Sequence, residues 1–342
     1  MISGRVNSSG RFMADSQKMR ILVVKLSSLG DTLHALPTVA ELKTQLGAEI
    51  HWAVQPEFSS LVDCFTCVDR VIKVPRPSDF PGFCRALREV RTVRYDLVVD
   101  LQGLMKSAVV ARSARAPRRI GPSFSREGSR LLYSEVAGAT NRARHAVDEC
   151  LDVIRHLGME MPAVPRFPLT VPAFDLDAQA TLAHGGPRLA IAPVSRWKSK
   201  NWPEDYFAQL VSRLVKNHDA RVYVIGGKAD HEVAERILAA SGVDAANLCG
   251  TLSLVQSLAV ISKCEALVSN DSGPMHMGAA LGVKCVVPFG PTSPERTGPY
   301  GGNHIVLRGG ACPPCHEKDC VTGTHECLLA ITPERVESAL FG

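Results

Sequence analysis

Short apolar runs alternate with helix-forming stretches along almost the whole chain, and nothing else in the sequence limits the fold as strongly. Runs at Arg20–Leu26, Ile50–Val54, Val71–Val74 and Asp96–Leu101 each precede a helical segment; after the first, Leu33, Leu36, Val39, Ala40 and Leu42 repeat at helical spacing. The rhythm resumes at Leu189–Ala192, Val222–Ile225, Cys264–Val268 and Cys285–Pro288. Strands joined through single helices run parallel and need helices on both faces, so each half predicts a doubly wound α/β sheet. Between the halves, Pro162, Pro165, Pro168 and Pro172 punctuate a stretch with no sustained period, as expected of a connection. The expected organisation is a polar, disordered leader at 1–18, a Rossmann-like domain at 19–160, a linker at 161–187 and a second Rossmann-like domain at 188–342, the two facing a central cleft. Met1 and Met19 both remain candidate starts.

The totals narrow the function classes. A length of 342 residues suits two domains, since single domains commonly run to about 100–150 residues. A net charge of +5 is too mild to demand a nucleic-acid partner, and none is expected. No run approaches the roughly 18 apolar residues of a membrane span. Eleven cysteines without a secretory leader point to a reducing cytoplasm.

In open α/β sheets, ligands bind beyond the carboxyl ends of the strands. Ser269-Asn270-Asp271-Ser272-Gly273-Pro274-Met275-His276, running on to Gly282, follows such a strand. Asp271 or Ser272 suits the N-cap, Pro274 the first turn, and Gly273 leaves room for a ligand against the backbone. Free N–H groups at a helix start attract an anion, typically phosphate, and His276 lies on the same first turn. Ser27-Ser28-Leu29-Gly30-Asp31 makes a second corner of this type, although the chain has neither a Walker loop nor a GxGxxG fingerprint. Asp31 is the best candidate general base; its bland alternative is a helix cap. Lys200, in the polar loop Ser195–Trp202, can face a diphosphate as a compact cation. Glu232, beyond Gly226-Gly227, can accept hydrogen bonds from a sugar or act as a first-turn dipole partner. Arginines from Arg112 to Arg130 read as a solvated face or as the contact for an acidic acceptor. Asp175-Leu176-Asp177 sits in the connecting region and reads as a turn or cap.

Cys312, Cys315, Cys320 and Cys327 form a compact cluster within a Cys-rich loop at 311–328, with His316 and His325 interleaved. Four thiolates can surround a structural zinc or iron ion; reduced structural cysteines and an oxidation-induced disulfide are the alternatives.

Taken together, these loops resemble the ADP-heptose:lipopolysaccharide heptosyltransferases of glycosyltransferase family 9, inverting enzymes of the GT-B fold. Met19–Pro37 is similar to the family's opening motif, and Asp100–Ala108 looks most like the heptosyltransferase I branch. The 269–282 stretch, the lysine before Asn201-Trp202, and Gly290–Glu295 resemble its donor motifs. The resemblance implies Asp31 as catalytic base and Lys200 as catalytic cation. It implies donor contacts from Ser195, Lys200, Glu232, Asp271, Ser272, Gly273, His276 and Thr292, and acceptor contacts from Ser28, Gly30, Gln102, Lys106, Arg118 and Arg119. The implied reaction moves heptose from ADP-heptose to an acidic glycolipid, the Kdo or inner-core region of lipopolysaccharide, with no catalytic metal, in the cytoplasm and peripherally at the inner membrane. Competing readings are another acceptor (a heptose, another core sugar or a protein hydroxyl), a nucleotide-sugar epimerase, and a non-enzymatic nucleotide-sugar-binding protein.

Overall fold

A computed structural model of the chain describes residues 18–141, 143–180, 182–183, 185–310 and 312–342. All of the expected leader except Lys18 lies outside the described residues, as does Ala311 at the start of the Cys-rich loop.

The first half contributes β1 (Arg20–Val24), β2 (Glu49–Val54), β3 (Arg70–Lys73), β4 (Leu97–Asp100), β5 (Arg118–Pro122) and β6 (Glu135–Ala137). They form one sheet in the order β3-β2-β1-β4-β5-β6. The second half contributes β7 (Arg188–Ala192), β8 (Arg221–Val224), β9 (Ala246–Asn247), β10 (Ala266–Ser269), β11 (Lys284–Phe289) and β12 (Ile305–Arg308), in the order β12-β11-β10-β7-β8-β9. Every pairing is parallel. Taken from β9, the second order repeats the first, so both sheets are doubly wound with a switch point between their first and fourth strands. Burial on both faces explains why the central strands are almost purely apolar: Ile21 to Val24 are fully buried.

Each of the eight expected strands is present within two residues of its expected ends. β5, β6, β9 and β12 were not expected; each lies at or near a sheet edge, and the first three carry little apolar signal. β5 reads Arg-Arg-Ile-Gly-Pro, and β9 has two residues.

The halves meet through helices that start at the two switch points. The Leu29–Leu46 helix follows β1, and the Gly273–Ala280 helix follows β10. A single apolar cluster runs across both, including Leu33 and Leu36 from one and Met275 and Met277 from the other. Two glycines permit this closeness. A Cβ on Gly30 would stand 2.4 Å from the His276 ring, and one on Gly273 would stand 2.3 Å from the Leu29 side chain. The connecting stretch is pinned to the first half, where Thr66 N–H donates to the Pro168 carbonyl at 3.0 Å and Thr170 N–H to that of Cys64 at 2.8 Å.

Candidate active site

Both switch points open toward one another, with β1 and β4 supplying one wall and β7 and β10 the other. On the first wall Ser28 is the N-cap of the Leu29–Leu46 helix. Asp31, three residues on, accepts from Ser28 N–H at 3.0 Å and Ser28 Oγ at 2.8 Å, both through Oδ2. The capping and catalytic readings of Asp31 are therefore compatible, because Oδ1 remains, 4.0 Å from Lys25 Nζ. Lys25 is buried and also donates to the Leu101 carbonyl at 2.7 Å. Burial pushes the Asp31 carboxyl upward, but Lys25, the Ser28 donors and His276 outweigh it and hold the group below its ordinary value. Its side chain is 47 % exposed, enough to meet a ligand.

On the second wall, Lys200 Nζ lies 2.6 Å from Asp271 Oδ2, with the lysine over the Trp197 ring at 4.7 Å. Thr292 Oγ1 donates to the same Asp271 oxygen at 2.5 Å, and Ser195 Oγ to the Asp271 carbonyl at 3.2 Å. Asn270 ties this wall together, accepting from Trp202 N–H at 3.0 Å and donating to the Pro193 carbonyl at 2.5 Å. Ser272 occupies the N-cap, yet no side chain caps the helix. Its hydroxyl lies 3.2 Å from Ser269 Oγ, while the Asp271 carboxylate is committed to Lys200 and Thr292. The first-turn N–H groups are left facing the opening, the arrangement that suits an anion.

His276 stands between the walls. Its Nδ1 is 3.1 Å from His34 Nε2, and burial pushes its pKa down to about 4 despite Asp271 and Asp31 nearby. A neutral, half-buried ring packed on Gly30 joins the two halves, a role beyond the donor contact expected from sequence. Glu232 is exposed on the first turn of the His231–Ser241 helix, at the same carboxyl edge of the second sheet.

The expected acceptor residues divide. Lys106 Nζ lies 3.3 Å from Ser27 Oγ, at a cavity of about 240 Å³ lined by Ser27, Ser28, Gln55, Phe58, Arg76, Pro77, Lys106 and Arg196. Gln102 serves as scaffold: its Oε1 accepts from Leu26 and Ser27 N–H at 2.7 and 3.0 Å, and its Nε2 donates to the Ser27 carbonyl at 2.7 Å. Arg118 and Arg119 are not at the site. They open β5, at the amino end of a parallel strand, whereas the cleft lies beyond the carboxyl ends. Arg118 forks onto Glu135 at 2.8 Å, and Arg119 donates to the Ala111 and Ala114 carbonyls at 3.3 and 2.7 Å. Sequence reasoning missed Arg76 and Arg196, although each sits in a loop just after a strand, the position that marked the others.

Cys312, Cys315, Cys320 and Cys327 are all unpaired thiols. Among the described residues, no group of three or more His, Cys, Asp and Glu side chains is arranged to hold a metal ion.

The chain matches the family described as "Glycosyltransferase family 9 (heptosyltransferase)" over residues 83–325. It is 30% identical to lipopolysaccharide heptosyltransferase 1 of Pseudomonas aeruginosa, covering 94% of this chain and 97% of that one. It is 28% identical to lipopolysaccharide heptosyltransferase 2 of Escherichia coli, covering 93% and 96%. The E. coli heptosyltransferase WaaC has a similar structure. Solved with ADP it aligns at a TM-score of 0.77 and 25% identity over 94% of this chain and 99% of its own. Solved with ADP-2-deoxy-2-fluoro heptose it aligns at 0.75 and 25% over the same shares. With two doubly wound sheets facing a cleft and this match over most of its length, the chain belongs to glycosyltransferase family 9, the heptosyltransferases, and is a glycosyltransferase of the GT-B fold.

Proposed function

We propose that the chain transfers heptose from ADP-heptose to an acidic sugar of the lipopolysaccharide inner core by a single inverting displacement. The observation that carries this is the pairing of walls: a carboxylate whose Oδ1 faces only Lys25, at 4.0 Å, on one side, a lysine and an uncapped helix start on the other. Donor identity is supported by the WaaC structure solved with an ADP-heptose analogue.

The first-turn N–H groups of the Gly273–Ala280 helix and Lys200 receive the diphosphate, and Asp271 with Thr292 aims the lysine. Ser195, Ser272 and Glu232 are the further donor contacts. The acceptor hydroxyl donates its proton to Asp31 Oδ1 as its oxygen attacks the anomeric carbon from the side opposite the leaving ADP. Negative charge then grows on the diphosphate, where preoriented donors lower the barrier most. Because fixed cation and dipole meet that charge, the step needs no divalent ion. The Asp31 base is ionised near neutral pH, and its depressed pKa makes it weak until the acceptor displaces part of its polar surroundings.

Lys106 and Arg196 around the cavity beside Ser28, with Arg76 held on Glu57 at 2.7 Å, favour a carboxylate or phosphate on the acceptor, as Kdo carries. A previously placed heptose is the second reading, supported by the heptosyltransferase 2 relatives. Incubation with ADP-heptose and Kdo-lipid A without divalent ions, following ADP release, tests the choice. Release supports the Kdo acceptor; release only with a heptosylated core moves the assignment to the second reading. A lipid-linked acceptor also implies peripheral work at the cytoplasmic face of the inner membrane. Among the described residues, no helix is long and apolar enough to cross it.

A further inference from the structure

Three histidines stand where the halves meet, of which the transfer chemistry so far uses one. His34 lies on the Leu29–Leu46 helix, His145 caps the Ala146–His156 helix, and His276 lies on the Gly273–Ala280 helix. The His34 ring meets both of the others edge-on, its centroid 5.3 Å from that of His145 and 4.5 Å from that of His276. A neutral imidazole carries one proton between two distinct nitrogens, so the nitrogen that holds it decides which one donates.

The partners of His145 determine its form. Its Nδ1 accepts from Val147 N–H at 3.1 Å, so the proton sits on Nε2, which donates to the Gly298 carbonyl at 3.0 Å. Both nitrogens are occupied, and His145 has nothing to offer His34. His34 is 5% exposed, its Nδ1 is buried without a partner, and its Nε2 lies 3.1 Å from His276 Nδ1. Burial holds both rings neutral, pushing His34 well below its ordinary value and His276 down to about 4. Each therefore brings a single proton, and one of the two facing nitrogens donates while the other accepts.

The surroundings choose between the two directions. If His276 donated, His34 would carry its proton on Nδ1, a buried N–H with no acceptor, and such orphans are rare. The fixed cation acting on that ring is Lys25, which disfavours an N–H further. His276 would meanwhile turn a bare lone pair on Nε2 toward Asp271 and Asp31, the two carboxylates that act on it more strongly than Lys200 does. If His34 donates, each conflict disappears: a lone pair meets the cation, and an N–H meets the carboxylates. That N–H lies at the corner carrying Asp31, because a Cβ on Gly30 would stand 2.8 Å from His276 Nε2. Among the described residues nothing accepts from it.

We propose that His34 is a positioning residue: by donating to Nδ1 it holds His276 in the Nε2–H form, so that an uncharged N–H donor faces the nucleotide sugar in the gap. The His276 lone pair is spent on His34 and turned away from the acceptor, so this ring is no rival base and Asp31 takes the proton. An N–H also attracts the sugar and phosphate oxygens that a lone pair would repel. The role in transfer rests on the reading above that a nucleotide sugar fills the gap; the proton position does not.

Labelling the histidine ring nitrogens of the full chain and recording long-range nitrogen–proton correlation spectra reads the proton position directly, with signals assigned through His34→Gln and His276→Gln. The parent is expected to show His276 protonated on Nε2 and bare on Nδ1, and His34→Leu to populate the reverse form. His34→Leu is expected to lower kcat/KM for ADP-heptose about three- to tenfold, the worth of one neutral hydrogen bond, with the acceptor KM unchanged. His34→Gln is expected to restore most of that loss, since its side-chain amide can donate from the same place. His276 protonated on Nδ1 in the parent, a His34→Leu chain as active as the parent, or His34→Gln impaired as much as His34→Leu would each overturn the proposal. Should His34→Leu fail to fold, the parent spectrum still decides. If ADP-heptose is consumed while His276 is protonated on Nδ1, only the role of His34 is wrong; if the spectrum is as expected but ADP-heptose is never consumed, the proposed function is wrong and the proton position stands.

Discussion

Asp31 keeps its charge because Lys25 and Ser28 face it, and the same contacts set its pH dependence. A carboxyl held below its ordinary value stays ionised as pH falls, so the acid limb of kcat/KM is expected below the normal carboxylate value of 3.8. Activity that depends on the ionised base is retained above that limb and lost as pH drops through it. Replacing Lys25 by Met removes the nearest cation, and a pH–rate profile should then show the limb displaced to higher pH. On the acceptor side, charge-assisted contacts are each worth about 1.5–3 kcal/mol. Arg196→Ala is therefore expected to raise the acceptor KM at least about tenfold, while Arg118→Ala leaves both kcat and KM unchanged. Steady-state kinetics with acceptor varied separates the two. The contrast also marks how far sequence could go. A run of arginines announces positive charge but not which end of a strand carries it, and Arg118 and Arg119 pointed the wrong way because β5 was unread.

At the level of elements, the loops were more legible than the strands that aim them. Ser269–His276 and Ser27–Asp31 stood out because turn residues, a cap and a polar side chain coincide after an apolar run, and the cleft is built from these two. What local pattern could not supply was the contact between them. His276 announced itself as a residue beside a phosphate site, yet its ring packs on Gly30 and touches His34, a long-range relation that spacing does not encode. The corresponding prediction is that Gly30→Ala pushes the Leu29–Leu46 and Gly273–Ala280 helices apart, since the new methyl would stand 2.4 Å from the His276 ring. A stability loss of about 1–3 kcal/mol is expected from overpacking, with a raised donor KM, measured by denaturant melts and ADP binding. The edge strand β9 escaped notice because a two-residue segment holds too few side chains to show a period.

For the molecule as a whole, the two sheets are joined by more than the linker. Arg296 reaches across to Glu149 at 2.9 Å, Tyr300 donates to Asp148 at 2.9 Å, and the His145 ring nitrogen meets the Gly298 carbonyl at 3.0 Å. The Glu149 side chain is only 3% exposed, so Arg296→Ala strands a buried carboxylate and is expected to cost about 3–5 kcal/mol. Thermal unfolding would report this as a lowered Tm. These contacts hold the 291–300 loop, and with it Thr292, against the first half, so the lysine and the base stay on opposite sides of one gap. Whether that opposition performs the transfer is decided by comparing the parent chain with Asp31→Asn for ADP release from ADP-heptose and for ADP affinity. Turnover should fall by about 10²–10⁴ with ADP bound as tightly as before. Turnover within a few fold of the parent would show that residue 31 only caps its helix and that the acceptor is activated by another group.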